Sequence, residues 1–342
     1  MHSFLTKLYN KTVKQVLFLI RLNIRVIVAL ALLTYFTYPV VTKVIEVSKN
    51  KAFFTVNASK SLEKLPQLKL TKFNIGIFDP NNDYADNKNL TFTQIFHSWD
   101  YTLEQKDLEK KLETIIKSKR HPYLTIEPWG YETLLSNDDY LAKVVTGGYD
   151  KHITNTCKKI KQYNELTLVN WGEGADFGGA SRYSWATNNY NLYKDAFKHW
   201  QEKCKQVANN VIFVWTAYGN KNTELYYPGD DYVDILGLNI QIPEKTLPKT
   251  NNYKREATKI IQDKLKNVKN IKRFIYISDF AIENAVENKI YTNEFINLFN
   301  SQSIPSILGV IYTNTNQSPS QIQGIKSLDY RLDPTIFPLL PI

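Results

Sequence analysis

Beyond about residue 70 the chain changes hydrophobic period repeatedly. Short runs rich in β-branched and aromatic residues occur at 72–78 (KFNIGIF), 92–99 (FTQIFHSW), 123–128 (YLTIEP) and 166–171 (LTLVNW). Four more follow at 211–215 (VIFVW), 232–240 (YVDILGLNI), 273–278 (RFIYIS) and 306–312 (SILGVIY). They are nearly continuous rather than alternating, as strands buried on both faces require. Amphipathic stretches lie between them, among them 103–119, 191–208 and 256–269. Strands separated by helical segments imply βαβ units and a parallel sheet. Eight of them in some 240 residues predict an α/β fold, a closed (β/α)8 TIM barrel over residues 71–342. An open doubly wound sheet is the competitor. It would carry a glycine-rich G-x-G-x-x-G turn after the first strand, and none is present.

The beginning of the chain follows another pattern. Val26 to Val41 (VIVALALLTYFTYPVV) is apolar with no polar face. With its neighbours it makes a candidate transmembrane helix over 24–42, with Arg25 and Lys43 able to extend their charged ends toward the surface. Tyr38-Pro39-Val40-Val41 is too bulky for a small-x-small cleavage site, so an uncleaved signal anchor is expected rather than a removed signal peptide. Five Lys/Arg precede the run and three follow it closely. That bias puts residues 1–23 in the cytoplasm and the barrel on the periplasmic or extracellular side of the inner or plasma membrane. Residues 43–70 are Lys-rich and weakly patterned, and read as a stem.

The net charge of +10 changes meaning once it is located. Residues 1–51 hold eight Lys/Arg against Glu46 alone, which leaves only +3 for the rest. A nearly neutral barrel argues against a nucleic-acid partner. The two cysteines, Cys157 and Cys204, fall on separate predicted helices and are expected to be separate buried thiols.

In a (β/α)8 barrel chemistry sits at the C-terminal strand ends. There the sequence places Asp79, His97, Trp99, Asp100, Glu127, Trp129, Trp171, Glu173, Asp176, Trp215 and Tyr218. Asn239, Gln241, Asp279, Tyr312 and Asn314 complete the set. Of six tryptophans only Trp200 lies inside a predicted helix. Such tryptophans either cap the barrel or form a platform on which flat sugar faces stack, with the polar rim binding hydroxyls. Trp99, Tyr218 and Tyr312 are substrate-binding candidates on this ground. The five histidines are scattered without metal-ligand spacing. No G-x-S-x-G elbow or P-loop is present, and Asp176-Phe177-Gly178 stands without the other kinase motifs. No cofactor or metal is expected. Carboxylates among aromatics are the equipment of glycoside hydrolysis.

The succession GIFDPN (76–81), FHSWD (96–100), RHPYLTIEPW (120–129), GGYDKHI (147–153), NWGEGAD…SRYSW (170–185), VIFVWTAYGN (211–220), YYPGDDYVDILGL (226–238) and IYISDFA (275–281) resembles glycoside hydrolase family 26, the β-mannanase family. The resemblance covers roughly residues 72–315. It implies a (β/α)8 fold and a retaining mechanism on β-linked mannose or mixed-linkage polysaccharides. It further implies an acid/base glutamate after the fourth strand, directly behind a histidine, and a nucleophilic glutamate ending the seventh. Both positions depart from that pattern. Aligned without a gap, Glu173 takes the histidine's place and Gly174 that of the acid/base, while Asp279 stands for the nucleophile. Trp129, Trp171, Asp176, Trp185 and Trp215 keep the residue types the resemblance expects at substrate-binding positions.

Adjacent strand residues point to opposite faces, so Glu173 can replace the missing acid only if the backbone kinks. Gly172 and Gly174 make such a kink cheap. Three readings stay open: an anchored barrel that binds a polysaccharide with weak or no cleavage, beside envelope polysaccharide-synthesis proteins; an active glycosidase using Glu173 and Asp279; and an envelope scaffold that binds no glycan.

Overall fold

The computed structural model describes residues 73–98, 102–129, 136–179, 183–247, 252–285, 288–300, 307–316 and 329–332, with backbone only for 102–106 and 300. The expected membrane span, the stem and Trp99 lie outside these residues. Among those described, no helix is long and apolar enough to cross a membrane.

Eight parallel strands close into a barrel in chain order. They are β1 (Asn74–Phe78), β2 (Phe92–Ser98), β3 (His121–Glu127), β4 (Thr167–Trp171), β5 (Val211–Ala217), β6 (Ile235–Ile242), β7 (Phe274–Ile282) and β8 (Ile307–Thr313). The helices are α1 (Thr102–Lys117), α2 (Asn137–Val145), α3 (Asp150–Tyr163), α4 (Tyr190–Val207), α5 (Tyr253–Lys266) and α6 (Lys289–Asn300). The eight strands fall where the apolar runs predict them. Two connections break the strand–helix alternation. The β1–β2 loop has no helix; Arg120 holds it instead by donating to the carbonyls of Tyr84, Ala85 and Asn87 at 2.6–2.9 Å. The β5–β6 connection contains only a 3-10 turn, Thr223–Tyr226.

Strand alternation divides the side chains between two cores. Phe92, Tyr123, Leu168, Ile212, Val214, Tyr276 and Ile311 fill the barrel. Their strand neighbours pack outward against the helices. The interior is tight enough to dictate its glycines: a Cβ on Gly237 would lie 2.1 Å from Ser278 Oγ, and one on Gly309 would lie 2.5 Å from the Tyr276 ring.

The YYPGDDYVD stretch sets the start of β6. Gly229 turns the chain at φ +112°. Asp234 then exchanges hydrogen bonds with Phe213, its N–H donating to the Phe213 carbonyl at 2.9 Å and its carboxylate accepting from the Phe213 N–H at 3.0 Å. Arg273, before β7, donates to the Val233 carbonyl at 2.6 Å and so ties three strands together at that end.

The cysteines differ from expectation. Cys157 on α3 and Cys204 on α4 form a disulfide with Cα atoms 5.4 Å apart. Each lies on the buried stripe of its helix, and side-by-side packing of α3 and α4, which run in the same direction on either side of β4, brings the two stripes together. Nothing in the local sequence of either helix reports that juxtaposition.

Candidate active site at the barrel mouth

The C-terminal strand ends collect buried polar groups. Asp79, Glu127, Asn170, Glu173, Asn239, Asp279, Thr313 and Asn314 are all buried. Two backbone irregularities bring the central carboxylates among them.

The first follows β4. Alternation turns Asn170 inward and Trp171 outward, and Gly172 and Gly174 then adopt left-handed conformations at φ +60° and +77°. Between them Glu173 folds back, and its carboxylate accepts a hydrogen bond from Asn170 Nδ2 at 3.1 Å. The turn is held by two donors: Trp185 Nε1 reaches the Glu173 carbonyl at 2.8 Å, and the Tyr193 hydroxyl reaches the Gly172 carbonyl at 3.1 Å. The parity that would point Glu173 away is thereby broken by two positive-φ glycines rather than by a bulge in the ladder.

The second lies in β7. Leu238 pairs with Ile277, but the next residue, Asn239, pairs with Asp279, which makes Ser278 an extra residue. The opposite edge agrees, since Ile277 pairs with Val310 and Phe280 with Tyr312. A bulge of this kind re-aims a side chain at a barrel rim. Ser278 bonds Thr216 in the barrel interior at 3.2 Å, and Asp279 also faces inward. Asp279 accepts from Asn239 Nδ2 at 3.3 Å and from Gln241 Nε2 and Thr313 Oγ1. Burial raises its pKa above the usual aspartate value, and these three donors oppose that rise.

Both carboxylates act on the same phenols. Burial raises the Tyr123 and Tyr218 hydroxyls, and the negative charges of Glu173 and Asp279 raise them further. Glu127 completes the group from β3, accepting from Trp129 Nε1 at 3.2 Å. Trp129 meets Trp185 edge-on with centroids 4.7 Å apart, and Tyr183 stacks on the other indole at 4.8 Å. The indole pair thus links the Glu127 carboxylate to the backbone of Glu173.

Gly174 has little room beside it. A Cβ there would come within 2.9 Å of the Tyr183 ring and 3.3 Å of the Tyr218 ring.

The aromatic candidates separate. Trp129 and Tyr218 are half-buried at the rim, beside Phe177, which is 46% exposed and lies 4.2 Å from the Tyr218 ring. Trp171, Trp215 and Tyr312 instead follow inward residues on their strands and turn out into the helix layer. Trp171 stacks on Trp200 at 6.0 Å, Trp215 donates to the Tyr193 hydroxyl at 3.1 Å, and Tyr312 packs edge-on against Phe280 at 5.6 Å. Each is at most 1% exposed, so none offers a ring face to a ligand here. Trp185 is also fully buried, beneath Trp129 and Tyr183. Asp176 serves the next loop: its carboxylate accepts the Tyr218 N–H at 3.0 Å and the Thr223 hydroxyl at 2.6 Å. His97 faces outward too, and burial together with Lys111 and Lys159 lowers its pKa to about 4. Sequence reasoning passed over Asn170, Thr313, Tyr123 and Tyr183. The first and third were recoverable from parity, as Tyr123 lies four residues before Glu127 on one strand face.

The chain matches the model of glycosyl hydrolase family 26 over residues 169–262, from within β4 to within α5. A search of curated protein sequences found no match. Among solved structures, GH26C from Muricauda sp. MAR_2010_75 superposes with a TM-score of 0.55 at 12% identity, covering 85% of this chain and 88% of the other. The GH26 domain of the Prevotella bryantii endo-β-mannanase/endo-β-glucanase gives 0.52 at 15% identity, over 77% and 90%. A Cellulomonas fimi endo-β-1,4-mannanase double mutant gives 0.55 at 12%, over 78% and 70%. At these identities the structural likeness concerns the fold, while the sequence match falls on the stretch that carries the glycine turn. The chain is a closed (β/α)8 barrel that is similar to glycosyl hydrolase family 26 in sequence from within β4 to within α5 and shares its fold with solved family 26 barrels.

Proposed function

We propose that this chain is a membrane-anchored, family 26-like barrel that binds a β-linked mannan-type or mixed polysaccharide at its mouth and hydrolyses it slowly or not at all. The observation that carries this reading is Gly174. It stands where the family resemblance puts the acid/base glutamate, its backbone is left-handed, and Tyr183 and Tyr218 occupy the adjacent space. Loss of general acid catalysis costs about 10²–10⁴-fold in rate. Asp279 is one methylene shorter than the glutamate the resemblance implies, and a displacement of ~1 Å can cost ~10²-fold more. What remains suits recognition of hydroxyl groups: Asn239, Gln241, Asn170 and three carboxylates below a rim with Trp129 and Tyr218.

A second reading, an active retaining glycosidase, is favoured by the glycine turn and the β7 bulge, which aim Glu173 and Asp279 inward. In it Glu173 donates the proton and Asp279 attacks. Retaining chemistry needs the two carboxyls about 5–5.5 Å apart.

The anchor is the apolar run 24–42, with the barrel on the periplasmic or extracellular side. The Cys157–Cys204 disulfide supports an oxidising compartment for the barrel. Envelope polysaccharide-synthesis proteins are the partners such a placement suggests. Topology reporters fused at the two termini test the orientation, and an active cytoplasmic reporter behind the barrel would reverse it.

The deciding experiment incubates the full-length protein and its Glu173→Gln and Asp279→Asn variants with manno- and glucomanno-oligosaccharides. Mass spectrometry follows cleavage and calorimetry follows binding. Binding without turnover in all three supports the first reading. Turnover abolished in both variants selects the second.

A further inference from the structure

Residues Asp329 to Leu332 return to the barrel mouth on its β7–β8–β1 side. Their burial alternates as in an extended segment: Tyr330 and Leu332 are buried, while Arg331 between them is exposed and closes back on Asp329 at 3.0 Å. Four hydrogen bonds tie the segment to three strand ends. Beyond β8, the Leu332 N–H donates to Asn314 Oδ1 at 2.9 Å and the Tyr330 N–H to the Thr315 carbonyl at 2.8 Å. Beyond β7, the Asn284 N–H donates to the Asp329 carbonyl at 2.7 Å. Beyond β1, the Tyr84 hydroxyl donates to the Leu332 carbonyl at 3.2 Å. Asn314 is the centre of this clasp, because its Nδ2 also donates to Asp79 and Asp83 at 2.9 Å each.

We propose that this segment completes the candidate site, and that the Tyr330 hydroxyl binds the sugar held against Asp279. The inference rests on the reading of the mouth as a glycan site and adds to it a residue from beyond the eighth strand.

Three observations carry it. The first is position. Thr313 donates to Asp279, and Thr315, which anchors the Tyr330 backbone, follows two residues later, about 7 Å along an extended chain. The second is an unmet acceptor beside Asp279. Asn239 is fully buried and its Nδ2 donates to the Asp279 carboxylate, but its Oδ1 has no partner. The carboxylate fixes which end of that amide faces it, so the oxygen needs a donor from outside the protein, and a sugar hydroxyl supplies one. Asn170, whose Nδ2 donates to Glu173, likewise has a buried Oδ1 without a partner. The third is the state of Tyr330. Its ring is 7% exposed, and its hydroxyl, which makes no hydrogen bond to a described residue, is not sealed from solvent. Burial, and then the negative charges of Asp279 and Glu283, push its pKa up to about 12. The group therefore stands within the field of Asp279 and keeps its proton, ready to donate to a sugar oxygen.

The test is calorimetric titration of the full-length protein with mannohexaose and with cellohexaose, alongside thermal melting. The variants are Tyr330→Phe, Tyr330→Ala and, as the marker of the opposite rim, Trp129→Ala. Tyr330→Phe keeps the packing of the ring and removes only the hydroxyl. It should weaken binding about three- to tenfold and melt with the parent, and Tyr330→Ala should weaken binding further. Parent-like affinity in Tyr330→Phe, with Trp129→Ala weakened, overturns the proposal and leaves the mouth reading standing. A loss of affinity in Tyr330→Phe that comes with a matching fall in melting temperature also overturns it, since the residue is then structural. A parent that binds neither probe sinks the mouth reading and the proposal together.

Discussion

The Asn170 amide donates to the Glu173 carboxylate at 3.1 Å, across a turn in which Gly172 and Gly174 both have positive φ. An inward residue of β4 thereby captures the side chain of a residue three positions later, which plain strand geometry would send elsewhere. The captured carboxylate shares its surroundings with Asp279, delivered by the β7 bulge. The two backbone departures converge on one volume at the mouth, and the tests of the site begin with them.

Gly174 is the most exacting backbone position. Gly174→Ala should destabilise the barrel by about 1–3 kcal/mol through left-handed strain and contact with Tyr183. Gly174→Glu should do worse and should not create a working acid. Thermal unfolding and turnover on oligosaccharides check both, and a stable, faster Gly174→Glu protein would contradict the account.

Trp171 and Trp129 should behave oppositely. Trp171→Ala opens a cavity between β4 and α4 and should cost about 3–5 kcal/mol, with glycan affinity per folded molecule unchanged. Trp129→Ala, at the half-buried rim, should cost less stability and more affinity. Chemical denaturation combined with calorimetry separates the two effects.

Acid should weaken the fold through His97. Its folded pKa of about 4 lies below the ordinary 6.5, so the unfolded chain binds the proton first as pH falls. Stability is then lost between about pH 6.5 and 4, by about 3 kcal/mol in all. Asp279 and Asp176 have raised values and push the other way, since their protonated forms are favoured in the fold. Comparing the stability–pH curve with that of His97→Gln isolates the histidine, whose variant should lose the slope in that window.

Reduction of the Cys157–Cys204 bridge should lower stability by about 2–5 kcal/mol, because the bridge closes a long loop of the unfolded chain. Melting with and without reductant measures it, and Cys157→Ala with Cys204→Ala should reproduce the reduced value and no longer respond to reductant.

Local pattern by itself determined the class of fold. Strand runs buried on both faces and separated by amphipathic helices admit few architectures, and eight of them close a barrel. The strand ends where chemistry belongs, and the glycine at 174, could also be read from order alone. What a side chain at a strand end faces was settled only by tertiary structure. Trp171, Trp215 and Tyr312 look like rim aromatics in one dimension, but each follows an inward residue and packs under a helix. Glu173 and Asp279 reach the mouth for the converse reason, because a pair of left-handed glycines and an inserted Ser278 shift the alternation by one. The disulfide depends on two helices meeting across 47 residues of chain. Parity along a strand is a local property, whereas its interruptions and the meeting of distant helices are set by packing of the whole barrel.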